Sequence, residues 1–283
     1  MPTKFLLCAK NAIDDATMSA SPEMRASLPP SNLQLPARGR VARSVDASSA
    51  QDIKFTWNGA GYYLSFLMLS RINLEPGSEW RVLLYSTVDW TGAAVYDSGT
   101  VTAVDGSTLG DLDFGVEPLG GGVFDALLGQ QWALIYFTRI QALSGIVRIT
   151  NTDNSYGYLE ASRLFAGDYL ELLINPGTID FGWEEDTAQS RSAGGSLRSD
   201  GKINYRALEV EVQFIDATQR ADLADQLRYA GRRKDIFIAA FPDETGEIAR
   251  DYTMLAKFVG RLPRLRMVGG HDYLAAHLPF EES

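Results

Sequence analysis

The chain is written as short apolar runs cut by Gly, Asn and Pro, and no stretch before Asp216 sustains a helical period. That rhythm restricts most of it to strands joined by turns, packed as a sandwich. Ile53-Lys54-Phe55-Thr56-Trp57 alternates, the pattern of a half-buried strand. Asn58-Gly59-Ala60-Gly61 is turn chemistry, and Tyr62–Ser70 is a second strand, apolar on both faces. Glu75-Pro76-Gly77-Ser78 turns the chain into Trp80–Ser86; Ala94–Gly99, Trp132–Thr138 and Gly145–Asn151 extend the series. Residues 10–52 are rich in Ala, Ser, Pro and Asn. Pro29 and Pro30 keep Leu28-Pro29-Pro30 extended or turning, so this segment is irregular chain lying on a core, or a linker.

After about residue 175 the texture changes. Leu208, Val210, Val212 and Phe214 alternate with Glu209, Glu211 and Gln213, which predicts a strand over Arg206–Phe214. Asp216 then caps a helix, with Gln219 in capping-box position, Leu223, Leu227 and Ala230 on one face, and Gly231 at its end. Asp235–Phe241 is a buried strand stopped by Pro242, and Thr253–Val259 and Leu265–Val268 are further strands. Strand, helix, then more strands is an α+β arrangement.

Charge and chemistry narrow the function. Lys and Arg number 26 against 36 Asp and Glu, a formal net charge of −10, which argues against a nucleic-acid partner. The longest nearly apolar stretch, Tyr62–Leu69, is broken by Ser65 and is far short of the ~20 residues of a spanning helix. Cys8 is the single cysteine, so no intramolecular disulfide forms. The apolar run Phe5–Ala9 falls below the ~7–15 residues of a signal-peptide core, so synthesis in a cytoplasm is expected.

Enzyme templates are missing. His271 and His277 lack the i, i+4 spacing of a helical zinc site, and there is no Gly-x-Ser-x-Gly elbow, Walker loop or Gly-x-Gly-x-x-Gly; Gly120-Gly121-Gly122 reads as a loop. Asp111 and Asp113 share one side of an extended chain and would suit Ca²⁺, but that pattern is common without metal. Glu184-Glu185-Asp186 reads as a solvated loop. A glycosidase carboxylate pair has nothing in the sequence to support it. The expectation is no catalytic residue, no metal and no cofactor. Two basic clusters stand out, Arg228, Arg232, Arg233, Lys234 and Arg261, Arg264, Arg266. They are either helix-end and exposed-strand cations or a charge-complementary subunit contact.

Two stretches resemble a known module. Gly145–Asn154, running on to Tyr158-Leu159-Glu160-Ala161-Ser162-Arg163-Leu164-Phe165-Ala166-Gly167, is similar to the closing strands of galactose-binding-like (discoidin-type) jelly rolls. Ile72–Leu74 with Trp80–Ser86 and Val95–Gly99 fits the middle of that module, and Asn11–Ala16 with Ser19–Ser21 its opening. On that resemblance residues 10–52 belong to the sandwich. The family's usual Trp in this opening region is replaced by Val41-Ala42-Arg43-Ser44.

The whole arrangement resembles tail-tip structural proteins of long-tailed, siphovirus-like bacteriophages. The resemblance runs through Arg163–Tyr169, Asn175-Pro176, Phe181-Gly182-Trp183, Ser190–Gly195, and the Arg206–Phe214 strand with its helix. Its C-terminal part is similar in element order to the ring-forming barrel of distal tail proteins, although there the ring domain comes first.

The resulting expectation is a mainly β protein: a jelly-roll β-sandwich over residues 1–174, then a smaller α+β, ring- or barrel-like domain over 175–283. The resemblance implies a non-enzymatic virion component of the tail tip or baseplate. Its partners would be other copies in a ring and neighbouring tail proteins (tube, hub, fibre or tape measure). The alternative is a module recognising a host-surface glycan by aromatic stacking, with Trp57, Trp90 and Tyr156 as candidates; core packing is the competing role for each.

Overall fold

A computed structural model describes residues 2–104, 132–152, 154–185, 187–192, 195–200, 204–260, 266–268 and 273–283. The protein is mainly β and divides into two compact units, Lys10–Tyr169 and Leu170–Ser283, the second joined by Pro2–Ala9. The first strand, β1 (Leu6–Cys8), therefore belongs to the second unit.

The first unit is a jelly-roll sandwich of antiparallel strands. One sheet runs in the order β2 (Thr17–Ser21), β4 (Gln51–Thr56), β10 (Ser144–Thr150), β6 (Glu79–Tyr85), β7 (Tyr96–Asp97), and β8 (Val101–Thr102) also pairs with β6. The facing sheet is β12 (Arg163–Gly167), β5 (Tyr62–Ser70), β9 (Trp132–Ala142). A short pair, β3 (Ala42–Arg43) with β11 (Glu160–Ala161), lies off both.

Alternation decides which side chains meet between the sheets. Ile53, Phe55, Trp80, Val82, Leu84, Val147 and Ile149 come from one sheet, and Leu64, Leu67, Leu69, Leu164 and Ala166 from the other. Gly145 sits opposite Phe55 in the ladder, and a Cβ there would lie 2.4 Å from the Phe55 ring, so only glycine admits that aromatic. On β5 the residues of both faces are buried from Leu64 to Ser70, as the apolar run requires.

Residues 10–52 lie on this core. The buried Asn11 side chain donates to Leu164 O and accepts from Ala166 N, both at 3.0 Å, standing in for a strand partner of β12. Arg163, almost wholly buried, pairs with Asp14 at 2.8 Å, and Ile13, Leu33 and Ala42 enter the core.

The second unit is built on one antiparallel sheet in the order β13 (Leu170–Glu171), β1, β18 (Ile236–Ala239), β19 (Thr253–Phe258), β21 (Tyr273–Glu282), β17 (Asn204–Ile215), β14 (Thr178–Glu185). β20 (Arg266–Val268) pairs with β21, and β15 (Gln189–Arg191) with β16 (Leu197–Ser199). The helix α1 (Ala217–Ala230) packs Leu223, Leu227 and Ala230 against Leu208, Val210, Val212 and Ile215, and α2 (Gly246–Tyr252) precedes β19. Asp216 caps α1 by accepting from Gln219 N at 2.7 Å. The Gln219 side chain instead donates to Glu171 O at 3.0 Å, so the reciprocal half of a capping box is replaced by a tie to β13. Gly231, at φ +54°, ends the helix with its N–H on Leu227 O.

Several expectations are corrected. The units change over at Tyr169–Leu170 rather than 174/175, because β13 pairs with β1. The run Phe5–Ala9 is an interior strand of the second sheet, where β1 is flanked by β13 and β18. Glu184 and Glu185 end β14, opposite Tyr205 and Asn204, and are not a loop. β21 and α2 were not expected; Pro279 inside β21 donates no ladder bond, which masks that strand in the sequence.

Candidate functional site

The turn that follows β10 is densely hydrogen-bonded. Asn73 organises it: its side chain donates to Tyr158 O at 2.8 Å and accepts from Glu160 N at 2.6 Å. Asn154 reaches back to Asn73 O at 2.8 Å and accepts from Tyr156 N at 2.9 Å. Glu75 accepts from Ser155 N at 3.1 Å, and Ser44 Oγ from Leu159 N at 2.8 Å. A turn tied at so many points presents its side chains in fixed directions.

Tyr156 and Tyr158 are what it presents. Tyr156 is 59% exposed, and its ring lies 6.2 Å from that of half-buried Tyr158. Two guanidinium groups flank Tyr158: Arg43 at 4.1 Å from the ring centroid and Arg25 at 5.7 Å. Arg43 also pairs with Glu160, its Nε donating at 2.5 Å. Ring faces beside fixed donors can stack on and hydrogen-bond a polar ring such as a sugar.

Of the sequence-derived aromatics, only Tyr156 stands open to solvent. Trp57 is 1% exposed, packs against Phe55 and Tyr62, and donates its indole N–H to Ala12 O at 2.7 Å. It is core, and cannot stack on a ligand. Trp90 is half-buried, with its N–H on Phe55 O at 3.2 Å and Lys54 Nζ 5.8 Å from the ring. Its φ of +58° is uncommon for a bulky residue; the turn is held by Thr56 Oγ1 on Val88 O and Ser144 Oγ on Thr87 O, at 2.9 and 2.6 Å. Trp90 lies at the end of the sheet where Thr56, Ser144 and Tyr85 meet, and the Tyr156 turn at the opposite end, beyond Thr150 and Glu79. The fold does not bring the three aromatics together.

Arg25, Arg43, Asn73 and Tyr158 were missed by sequence reasoning. A tyrosine pair spaced by one residue was the available signal. The arginines, more than a hundred residues away, carried none.

In the second unit Arg228, Arg232, Arg233 and Lys234 gather at and just beyond the C-terminal end of α1, all exposed. Arg228 pairs with Asp225 at 3.1 Å, and Lys234 Nζ stands 3.4 Å from the Tyr229 ring centroid. Arg261 and Arg264 lie outside the described residues, as do Asp111, Asp113, Gly120–Gly122, Asp186 and His271. His277, exposed on β21, is 3.7 Å from Glu209. Cys8 is buried within β1. Among the described residues no group of three or more His, Cys, Asp or Glu is placed to hold a metal ion, and no helix is long and apolar enough to cross a membrane.

No protein-family model matches the sequence, and no curated protein is similar to it. Solved structures give partial likenesses. The chitosan-binding module 1 of a Paenibacillus sp. IK-5 chitosanase/glucanase is 15% identical, with a TM-score of 0.40 over 56% of this chain and 99% of that one. The family 32 carbohydrate-binding module of Clostridium perfringens NanJ, solved with galactose, is 12% identical, with a TM-score of 0.38 over 56% and 98%. A GH29 fucosidase of Ruminococcus gnavus, solved with fucose, is 11% identical, with a TM-score of 0.39 over 57% of this chain; the match spans only 27% of the fucosidase. What the surface does is read from its own geometry.

Proposed function

We propose that the sandwich unit is a carbohydrate-recognition module that binds a cell-surface glycan without chemical turnover. The observation that carries the reading is Tyr156, an open aromatic ring on a turn fixed by Asn73, Asn154 and Glu75, next to Tyr158 with the Arg25 and Arg43 guanidinium groups over its ring. A rigid ring loses little entropy on stacking, and donors fixed beside it supply orientation.

Glycan-array screening followed by calorimetry on the full chain tests it. Tyr156→Ala should cut affinity for the best array ligand about tenfold or more, with an unchanged unfolding midpoint, because an exposed side chain contributes little to stability. Loss of all array binding in the wild-type protein, or undiminished binding by Tyr156→Ala, sinks the assignment. Hydrolysis of a bound polysaccharide that disappears on changing one carboxylate would sink the non-catalytic part.

A second role is favoured by the second unit. Its strand β14 pairs, among the described residues, with β17 alone and carries half-exposed Trp183, with the cation-rich end of α1 in the same unit. Open edges and exposed aromatics of this kind are assembly surfaces. This is the part that would join a tail tip or baseplate of a long-tailed bacteriophage, as a ring or on the hub, placing the protein in a virion. Electron microscopy of the purified chain tests for closed rings; a monodisperse monomer at every concentration would remove self-assembly from the proposal.

A further inference from the structure

The Tyr156 surface has a charge character of its own. Between Met24 and Val45 the chain holds four arginines, Arg25, Arg38, Arg40 and Arg43, and no acidic residue, in a protein of formal net charge −10. The fold sets two of the four against one tyrosine, Tyr158. Arg43 is spoken for by Glu160. Arg25 is not: it is exposed, its guanidinium donates to Val45 O at 3.3 Å, and among the described residues it has no carboxylate partner.

The backbone at Arg25 is pinned. Its N–H donates to Arg43 O at 3.0 Å, and its carbonyl accepts from Leu28 N at 2.8 Å. Asp46 is engaged by Ser48 N and Oγ at 2.9 and 2.6 Å and Glu75 by Ser155 N at 3.1 Å, and Glu23, exposed two residues before Arg25, makes no ion pair with it among the described residues. A guanidinium fork with donors to spare matches a carboxylate, and charge-assisted bonds of that kind are the strong ones. An exposed arginine alone indicates no ligand. The direction comes from the row of groups: Arg25, then the Tyr158 ring, then the Tyr156 ring, in reach of a single short saccharide.

We infer that this surface selects acidic saccharides, one sugar ring stacking on Tyr156 while the carboxylate of a neighbouring uronic acid pairs with Arg25. The inference rests on the reading of the sandwich as a glycan binder and names the class of glycan.

Calorimetry of the full chain with a short oligogalacturonate, and with a neutral oligogalactan of the same length, tests it. The wild-type protein should bind the acidic oligomer several-fold more tightly than the neutral one, the size of effect an exposed, solvent-screened charge pair gives. Arg25→Gln should abolish the preference, bringing the two oligomers to equal affinity, while Arg25→Lys, which keeps the charge, should retain part of it. Added salt should weaken the acidic arm alone. Equal affinity for the two oligomers, or a preference that survives Arg25→Gln, overturns the inference and leaves glycan recognition standing. No binding of either oligomer, with an empty glycan array, overturns both.

Discussion

At the scale of single residues, the sandwich is held by fits that tolerate little change. Gly145 faces Phe55 across the β10–β4 ladder, and an added Cβ would lie 2.4 Å from the Phe55 ring and 3.0 Å from Leu84 Cδ2. Both neighbours are core, so neither can swing into solvent. Gly145→Ala should therefore cost about 1–3 kcal/mol, the range for overpacking a filled site, read as a lower urea midpoint with unchanged slope. Adding Phe55→Leu should recover part of the loss. A Gly145→Ala protein as stable as the parent would show that the ring yields freely. The contrast between Trp57 and Tyr156 belongs to this scale too. Trp57 falls in phase with Ile53 and Phe55, so the alternation that predicted the strand already placed it on the core face. Tyr156 sits in a turn, where no periodicity assigns a side, and its exposure comes from the backbone bonds around Asn154.

At the scale of elements, α1 was the most legible part of the second unit. Cap, apolar face and terminating glycine are all local signals, and the helix runs from Ala217 to Ala230 between Asp216 and Gly231. Its C-terminal end carries the exposed Arg228–Lys234 cations, which complement the helix dipole and give an acidic protein a place where like-charged copies can approach. Arg232→Glu with Arg233→Glu should leave the chain folded, at a cost of about 0.3–1 kcal/mol per reversed charge near the helix end. The same double variant should impair assembly, seen as loss of rings by electron microscopy or of incorporation into tails. Normal assembly would reduce the cluster to a solvated helix end and move the interface elsewhere, β14 being the next surface to test.

At the scale of the whole molecule, the two units are discontinuous in sequence. β1 is inserted between β13 and β18, and Phe5, Leu7 and Ala9 join the core of the second unit. Deleting Pro2–Ala9 removes an interior strand and three large buried side chains, Phe5, Leu6 and Leu7, each worth about 2–5 kcal/mol on truncation, against a typical domain stability of about 5–15 kcal/mol. The second unit should unfold while Lys10–Tyr169 keeps its structure. Hydrogen exchange would show it as lost protection in β17–β19 and α1 with protection retained in β4, β5 and β10. Protection retained in both units would mean that β1 is dispensable to the second sheet.

Sequence by itself determined what short-range physics controls. Side-chain alternation located β4 and β17 and a continuous apolar run located β5, turn chemistry marked the chain between β4 and β5, and cap and glycine bounded α1, because each depends on neighbours within a few residues. Tertiary structure alone decided the rest. Phe5–Ala9 is a strand because Phe237–Ala239 and Leu170–Glu171 supply its backbone partners, more than 150 residues away. β21 forms across Pro279 because β17 and β19 flank it. The candidate site is of the same kind: Arg25, Asn73 and Tyr156 have no local relation, and they meet because the turns at one end of a sandwich converge wherever its strands end.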